Sequence, residues 1–133
     1  MQKLQPPGWA EPKGYTNGIA AEGRLVFVAG QVGWDETEAF WAQDFVGQVR
    51  QCLKNTLAVL DEAGAGPEHV VRMTWYITDR EEYLTGQESM GRAYRELMGR
   101  HFPTMTMVEV TALIESEARV EIETTAVVPL GPR

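Results

Sequence analysis

Cysteine is nearly absent: Cys52 is the only one in 133 residues, so no disulfide can form within the chain, which agrees with a reducing compartment. Cys52 has no neighbouring histidine to stabilise a thiolate and reads as packing on a helix. Long apolar runs are missing too. None approaches the roughly 18–20 residues that cross a bilayer, and the opening MQKLQPPGWAEPKG has no signal-peptide core before its prolines. A cytoplasmic location is expected. The two histidines, His69 and His101, lie far apart with no Cys or His at ligand spacing, so no metal site is expected. The glycines of Ala63-Gly-Ala-Gly-Pro67 lack the Lys-Ser/Thr ending of a phosphate loop and read as a helix-ending turn. Basic charge is scarce: 12 Lys and Arg stand against 19 Asp and Glu, a formal charge of −7. Binding to a nucleic-acid backbone depends on basic side chains displacing counterions, so neither nucleic acid nor a membrane surface is an expected partner. Arg92, Arg95 and Arg100 are interleaved with Glu88 and Glu96 and read as a solvated helix face.

What remains is ordinary globular composition, 44% apolar and 23% charged, in a chain long enough for one hydrophobic core and too short for two. One domain over residues 1–133 is expected. Arg24–Gln31 is a short apolar run rich in β-branched residues that closes at Gly30-Gln31. A shorter strand is expected before it near Thr16–Ala21, with the turn at Glu22-Gly23. From Asp44, a side chain able to cap a first turn, Val46, Val49, Leu53, Leu57 and Leu60 recur at helical spacing until Gly64. Val71, Met73, Trp75 and Ile77 then alternate with Arg72, Thr74, Tyr76 and Thr78, as in a strand with one apolar face. Asp79 and Glu82 form a capping-box pattern ahead of a second helix carrying Tyr83, Gln87, Met90, Tyr94 and Leu97, which should stop near Gly99.

Thr104–Leu113 and Arg119–Val128 read as a terminal hairpin around a polar connection. The order is ββαβαββ, an α+β fold in which both helices pack on one face of a mixed sheet. In the last strand Val120, Ile122, Thr124 and Ala126 should face the helices. The other sheet face is left for water or another subunit.

Several pieces in this order are distinctive: Lys13-Gly-Tyr15-Thr-Asn-Gly18, Val28-Ala-Gly30-Gln31, the long helix, Thr74-Trp-Tyr-Ile-Thr-Asp79, the tyrosine-bearing helix, Phe102-Pro103, Val108-Glu-Val110 and Val120-Glu-Ile-Glu123. Across nearly its whole length the chain resembles the RidA/YjgF family of reactive intermediate deaminases, also called endoribonuclease L-PSP-like. The resemblance implies the chorismate mutase-like fold and a homotrimer whose sheets form a central barrel, with small-molecule clefts between subunits. It also implies hydrolysis of reactive imines and enamines to a keto acid and ammonia, with no cofactor.

On that resemblance, Tyr15 lines the cleft, Gly30 borders the ligand with its backbone, and Glu121 is the catalytic carboxylate that orients water. From the residues alone Glu121 reads as a solvated strand side chain, paired with Arg119. The chain departs from the family where Met105 replaces the arginine that grips a substrate carboxylate through two parallel hydrogen bonds. Losing such a contact costs about 2–5 kcal/mol, so simple amino-acid imines should be poor substrates. Met107 stands at a common cysteine and Gly91 near a ligand-binding asparagine. Met105 and Met107 share a strand face with Glu109, either as a flexible apolar pocket wall or as plain packing.

Trp34 and Trp41 fall in a segment resembling the cleft rim, where they either stack on a ligand ring or pin the loop. The stretch from Phe102 to Glu123 is expected to form a wall of a pocket shared by neighbouring chains, with Met105 and Glu121 in one environment. Three functions follow: deamination of an imine or enamine, such as a 2-aminomuconate-like product of aromatic degradation; non-catalytic binding of a small ligand; and endoribonuclease activity, which the acidic charge and lack of paired histidines disfavour.

Overall fold

The computed structural model describes residues 1–131. Strands β1 (Gln2–Leu4), β2 (Gly18–Ala20) and β3 (Arg24–Val32) precede helix α1 (Phe45–Glu62). A single 3₁₀ turn at Pro67–His69 leads into β4 (Val70–Ile77), α2 (Arg80–Thr85), α3 (Gln87–Met98), β5 (Thr104–Glu109) and β6 (Val120–Val128). The α+β architecture and the mixed sheet are those expected, with one early strand added and the second helix interrupted at Gly86. A Cβ at Gly86 would lie 2.9 Å from the Glu82 carbonyl oxygen, so the interruption is also a point of close backbone approach.

The caps of α1 follow from its sequence. Asp44 accepts a hydrogen bond from the Gly47 amide at 2.9 Å, and past the last turn Gly64 takes φ 67°. The buried stripe of α1 is Phe45, Gln48, Val49, Cys52, Leu53, Thr56 and Leu60, so it is less apolar than the leucine and valine periodicity suggests. At the next helix Asp79 accepts from the Glu81 amide at 2.9 Å. Glu82 does not return to that cap; its carboxylate holds Arg119 at 2.9 Å instead.

Strand pairing departs from the expected hairpins. The main sheet runs β3-β6-β4-β5, with β4 and β5 parallel and β6 antiparallel to both its neighbours. The chain from β5 therefore passes over β4 and inserts β6 into the centre. Central placement suits β6 because Val120, Ile122 and Ala126 are fully buried, whereas β5 is short and leaves Val108 exposed at the sheet edge. The first expected hairpin also changes: β2 pairs with β1 in a separate two-stranded ribbon. An irregularity between Val70 and Arg72 puts Val70, rather than Val71, in the core.

Helices α1 and α3 contact each other, and side chains of both join Met73, Trp75, Ile77, Val120, Ile122 and Ala126 in one core. Among the described residues no helix covers the opposite sheet face, where Leu25 and Phe27 are 58% and 72% exposed.

Candidate functional site

Strand parity decides which side chains meet. Met105 lies beside Met73 and Met107 beside Trp75 in the parallel β4-β5 register, so both methionines point to the helix side. There they line a cavity of about 240 Å³ between β5, α3 and the segment around Tyr15, whose walls include Tyr83, Met90, Tyr94 and Phe102. That volume is below the range for drug-sized ligands and suits a small metabolite.

The walls are held from behind. Tyr94 stacks on Phe102 with ring centres 5.9 Å apart and donates its hydroxyl to the His101 carbonyl at 2.9 Å. Burial pushes the Tyr94 phenol well above its ordinary pKa, so it stays a neutral donor. The N-terminal segment is tied to the same corner: Thr16 donates its amide to the Pro103 carbonyl at 3.1 Å and its hydroxyl to the Phe102 carbonyl. That anchor brings Lys13, Gly14 and Tyr15 to the cavity.

Of the residues singled out in the sequence, Tyr15, Gly91, Met105 and Met107 are brought together here. Glu121 is not. It lies opposite Tyr76 and between the buried Val120 and Ile122, so it faces the helix-free side of the sheet. Within one chain Met105 and Glu121 therefore occupy opposite faces, contrary to the shared wall expected from the sequence. Glu121 belongs instead with Gly30: a Cβ on Gly30 would fall 2.1 Å from the Glu121 Oε2 atom, so the carboxylate fills the space the glycine leaves.

Around that second cluster Tyr76 donates its hydroxyl to Glu123 at 2.7 Å, and this bond raises the Tyr76 phenol above its usual range. Arg119 pairs with Glu82 and leaves Glu121 without the partner the sequence suggested. A shallow depression on the same face is lined by Phe27, Ala29, Arg72, Thr74, Glu123 and Thr125.

Trp34 joins neither cluster. It packs against Phe40 with ring centres 5.8 Å apart, and its carbonyl accepts from Asn55 at 2.7 Å. Trp41 is 81% exposed and donates its indole N–H to Asp35. The loop is organised by Asp35, which the sequence reading passed over. Its carboxylate also accepts from the Thr37 hydroxyl and amide and the Ala39 amide, and the Thr37 bond foremost holds it far below the usual carboxylate pKa. Cys52 is fully buried, and desolvation first, then the charge of Glu121, drives its thiol pKa upward, so no reactive thiolate is available.

Two cavity residues were missed in the sequence, Lys13 and Arg95. Arg92 does sit on a solvated helix face, paired with Glu88 at 3.0 Å. Arg95 has Gly91 four residues before it instead of an acid, and that was the available signal.

A sheet with helices on one face only, an apolar cavity at its edge strand and a glycine-backed carboxylate on the bare face define a small α+β class of protein. Residues 9–128 match the family model described as Endoribonuclease L-PSP. A RutC family protein of Synechocystis is 35% identical over 131 residues, covering 97% of this chain and 95% of the relative. The 2-iminobutanoate/2-iminopropanoate deaminase of Salmonella typhimurium is 29% identical over 116 residues, covering 85% and 86%. The crystal structure of YyfB from Yersinia pestis, of the conserved Rid family, superposes with a TM-score of 0.84 at 27% identity, covering 96% of this chain and 98% of that one. The chain belongs to the RidA/YjgF family.

Proposed function

We propose that this protein hydrolyses a reactive imine or enamine in clefts between the subunits of a homotrimer. In this reading the methionine-walled cavity of one chain is closed by the Gly30–Glu121 edge of the next. The observation that carries the proposal is the separation of the two clusters: an apolar cavity lies on one sheet face and a glycine-backed carboxylate on the other. Neither is a complete hydrolytic site, and a subunit boundary is where two faces of the same chain type can meet. The bare face, with Phe27 and Leu25 exposed, supplies the apolar area such a boundary requires. The Salmonella relative's name supports the reaction class.

The chemistry asks little of the protein. An enamine first tautomerises to its imine, and the protonated C=N carbon is already electrophilic. Glu121 accepts a proton from water as the C–O bond forms. Glu121 then returns that proton to the nitrogen of the carbinolamine, and ammonia departs as the hydroxyl loses its own proton to leave a carbonyl, with one water consumed. Tyr15 and the Gly30 backbone border the substrate, and Met105 and Met107 contact its apolar part.

Ammonia release should be assayed with freshly generated imino acids and 2-aminomuconate. Release above the buffer rate, reduced about a hundredfold or more in Glu121→Ala, is expected for loss of a positioned general base. A rate equal to buffer for every compound would sink the reaction. Tight binding without turnover would select the second reading, a non-catalytic ligand carrier, which Met105 at the arginine position favours. The third reading, endoribonuclease, has the acidic charge against it.

A further inference from the structure

Four of the eight described arginines have side-chain partners close by. Arg50 pairs with Glu96, Arg92 with Glu88 and Arg119 with Glu82, and Arg24 donates to the Ala63 carbonyl. Arg95 is different. It lines the methionine-walled cavity, and among the described residues its guanidinium makes neither an ion pair nor a hydrogen bond.

Helix geometry accounts for this. The neighbours of Arg95 at three and four residues' distance are Arg92, Met98, Gly91 and Gly99, so α3 offers it no acid. Gly91 offers space instead. A Cβ there would lie 3.2 Å from the Arg95 Nη1 atom, which places the guanidinium back along the helix over the glycine. A glycine inside a helix costs about 1 kcal/mol relative to alanine, and here it clears the room for that side chain. Lys13, carried to the same cavity by the Thr16 anchor, adds a second cation without an ion-pair partner among the described residues.

We infer that Arg95, assisted by Lys13, holds the carboxylate of a ligand whose apolar body rests on Met105, Met107 and Phe102. The charge that β5 lacks at Met105 is thus supplied from α3, on another wall of the same cavity. This inference rests on the cavity being the ligand site proposed above, and it adds the class of ligand: a small monoanionic carboxylate with an apolar or ring-bearing body. A planar guanidinium grips a carboxylate through two parallel hydrogen bonds, and a neutral amide of the same shape cannot use that charge. Charge-assisted hydrogen bonds make the expected discrimination roughly tenfold to a hundredfold in affinity.

Phenylacetate and phenylacetamide, titrated calorimetrically into the intact protein, form the test. The carboxylate should bind the wild type at least about tenfold more tightly than the amide. Arg95→Gln should abolish that preference by weakening phenylacetate alone, with Arg95→Lys intermediate. Lys13→Gln should have a smaller effect in the same direction. The melting temperature should hardly change, because Arg95 is exposed and unpaired. Equal binding of both probes to the wild type, or a preference that survives Arg95→Gln, overturns the anchor while leaving the cavity as a binding site. If neither probe binds, the cavity reading fails and the anchor with it. Met105→Trp, which fills the cavity, should abolish both titrations; intact binding in that variant would place the ligand elsewhere and overturn both.

Discussion

At Gly30 and Gly91 a missing side chain governs where a charged group sits. The Glu121 carboxylate lies where a Cβ on Gly30 would be, and the Arg95 guanidinium lies close to where one on Gly91 would be. The atoms displaced by an alanine at Gly30 belong to a flexible, partly exposed glutamate. Gly30→Ala is therefore expected to reduce ammonia release about as much as Glu121→Ala while shifting the melting temperature little. A variant with full activity would show that the position of that carboxylate does not matter. Both glycines are visible in the sequence, but only the fold shows what each makes room for. Family resemblance marks Gly30 as bordering a ligand and Gly91 as lying near a ligand-binding position. Arg95 carries no such mark and reads in sequence as one more charge on a polar helix face.

The periodicity of α1 was legible from Val49, Leu53 and Leu60, yet the residue that fixes how this helix joins the sheet is polar. Gln48 is fully buried; its amide donates to the Ala42 and Glu117 carbonyls, and its oxygen accepts from the Arg119 amide at 2.7 Å. It thereby ties α1 to the connection that feeds β6 into the sheet centre. Gln48→Leu keeps nearly the same volume but leaves those backbone groups without partners, at about 1–3 kcal/mol for each one that stays dry. Urea denaturation should show a lower midpoint at unchanged slope, with a loss of about 2 kcal/mol or more. An unaltered midpoint would mean that water replaces the side chain. The β5-β6 hairpin failed for a related reason. Alternation identifies a strand and its buried face, but nothing within residues 104–128 encodes which neighbour each edge pairs with.

For the whole molecule, the bare sheet face is the decisive feature. Phe27, 72% exposed, stands on it beside Leu25 and Thr125, across the sheet from the core. Phe27→Lys would place a charge in the proposed subunit boundary, where an unpaired buried charge costs several kcal/mol. Sedimentation is expected to show a trimer for the wild type and smaller species for this variant. In the proposed assembly Met105 and Glu121 meet only across the boundary, so ammonia release should fall with trimer content. A wild type that sediments as a monomer, or a monomeric variant that keeps its activity, would remove the inter-subunit site.

The sequence by itself determined α1 and the strands of the main sheet, the apolar face over most of their length, where α1 starts and stops, and the family, since spacing and caps are local properties of the chain. Tertiary structure decided the central place of β6, the separation of Met105 from Glu121 and the arrival of Lys13 and Arg95 at one cavity. Each of these depends on which distant strand or helix a segment packs against, and that choice is made by burying area and pairing backbone groups over the whole sheet, beyond the reach of any local pattern.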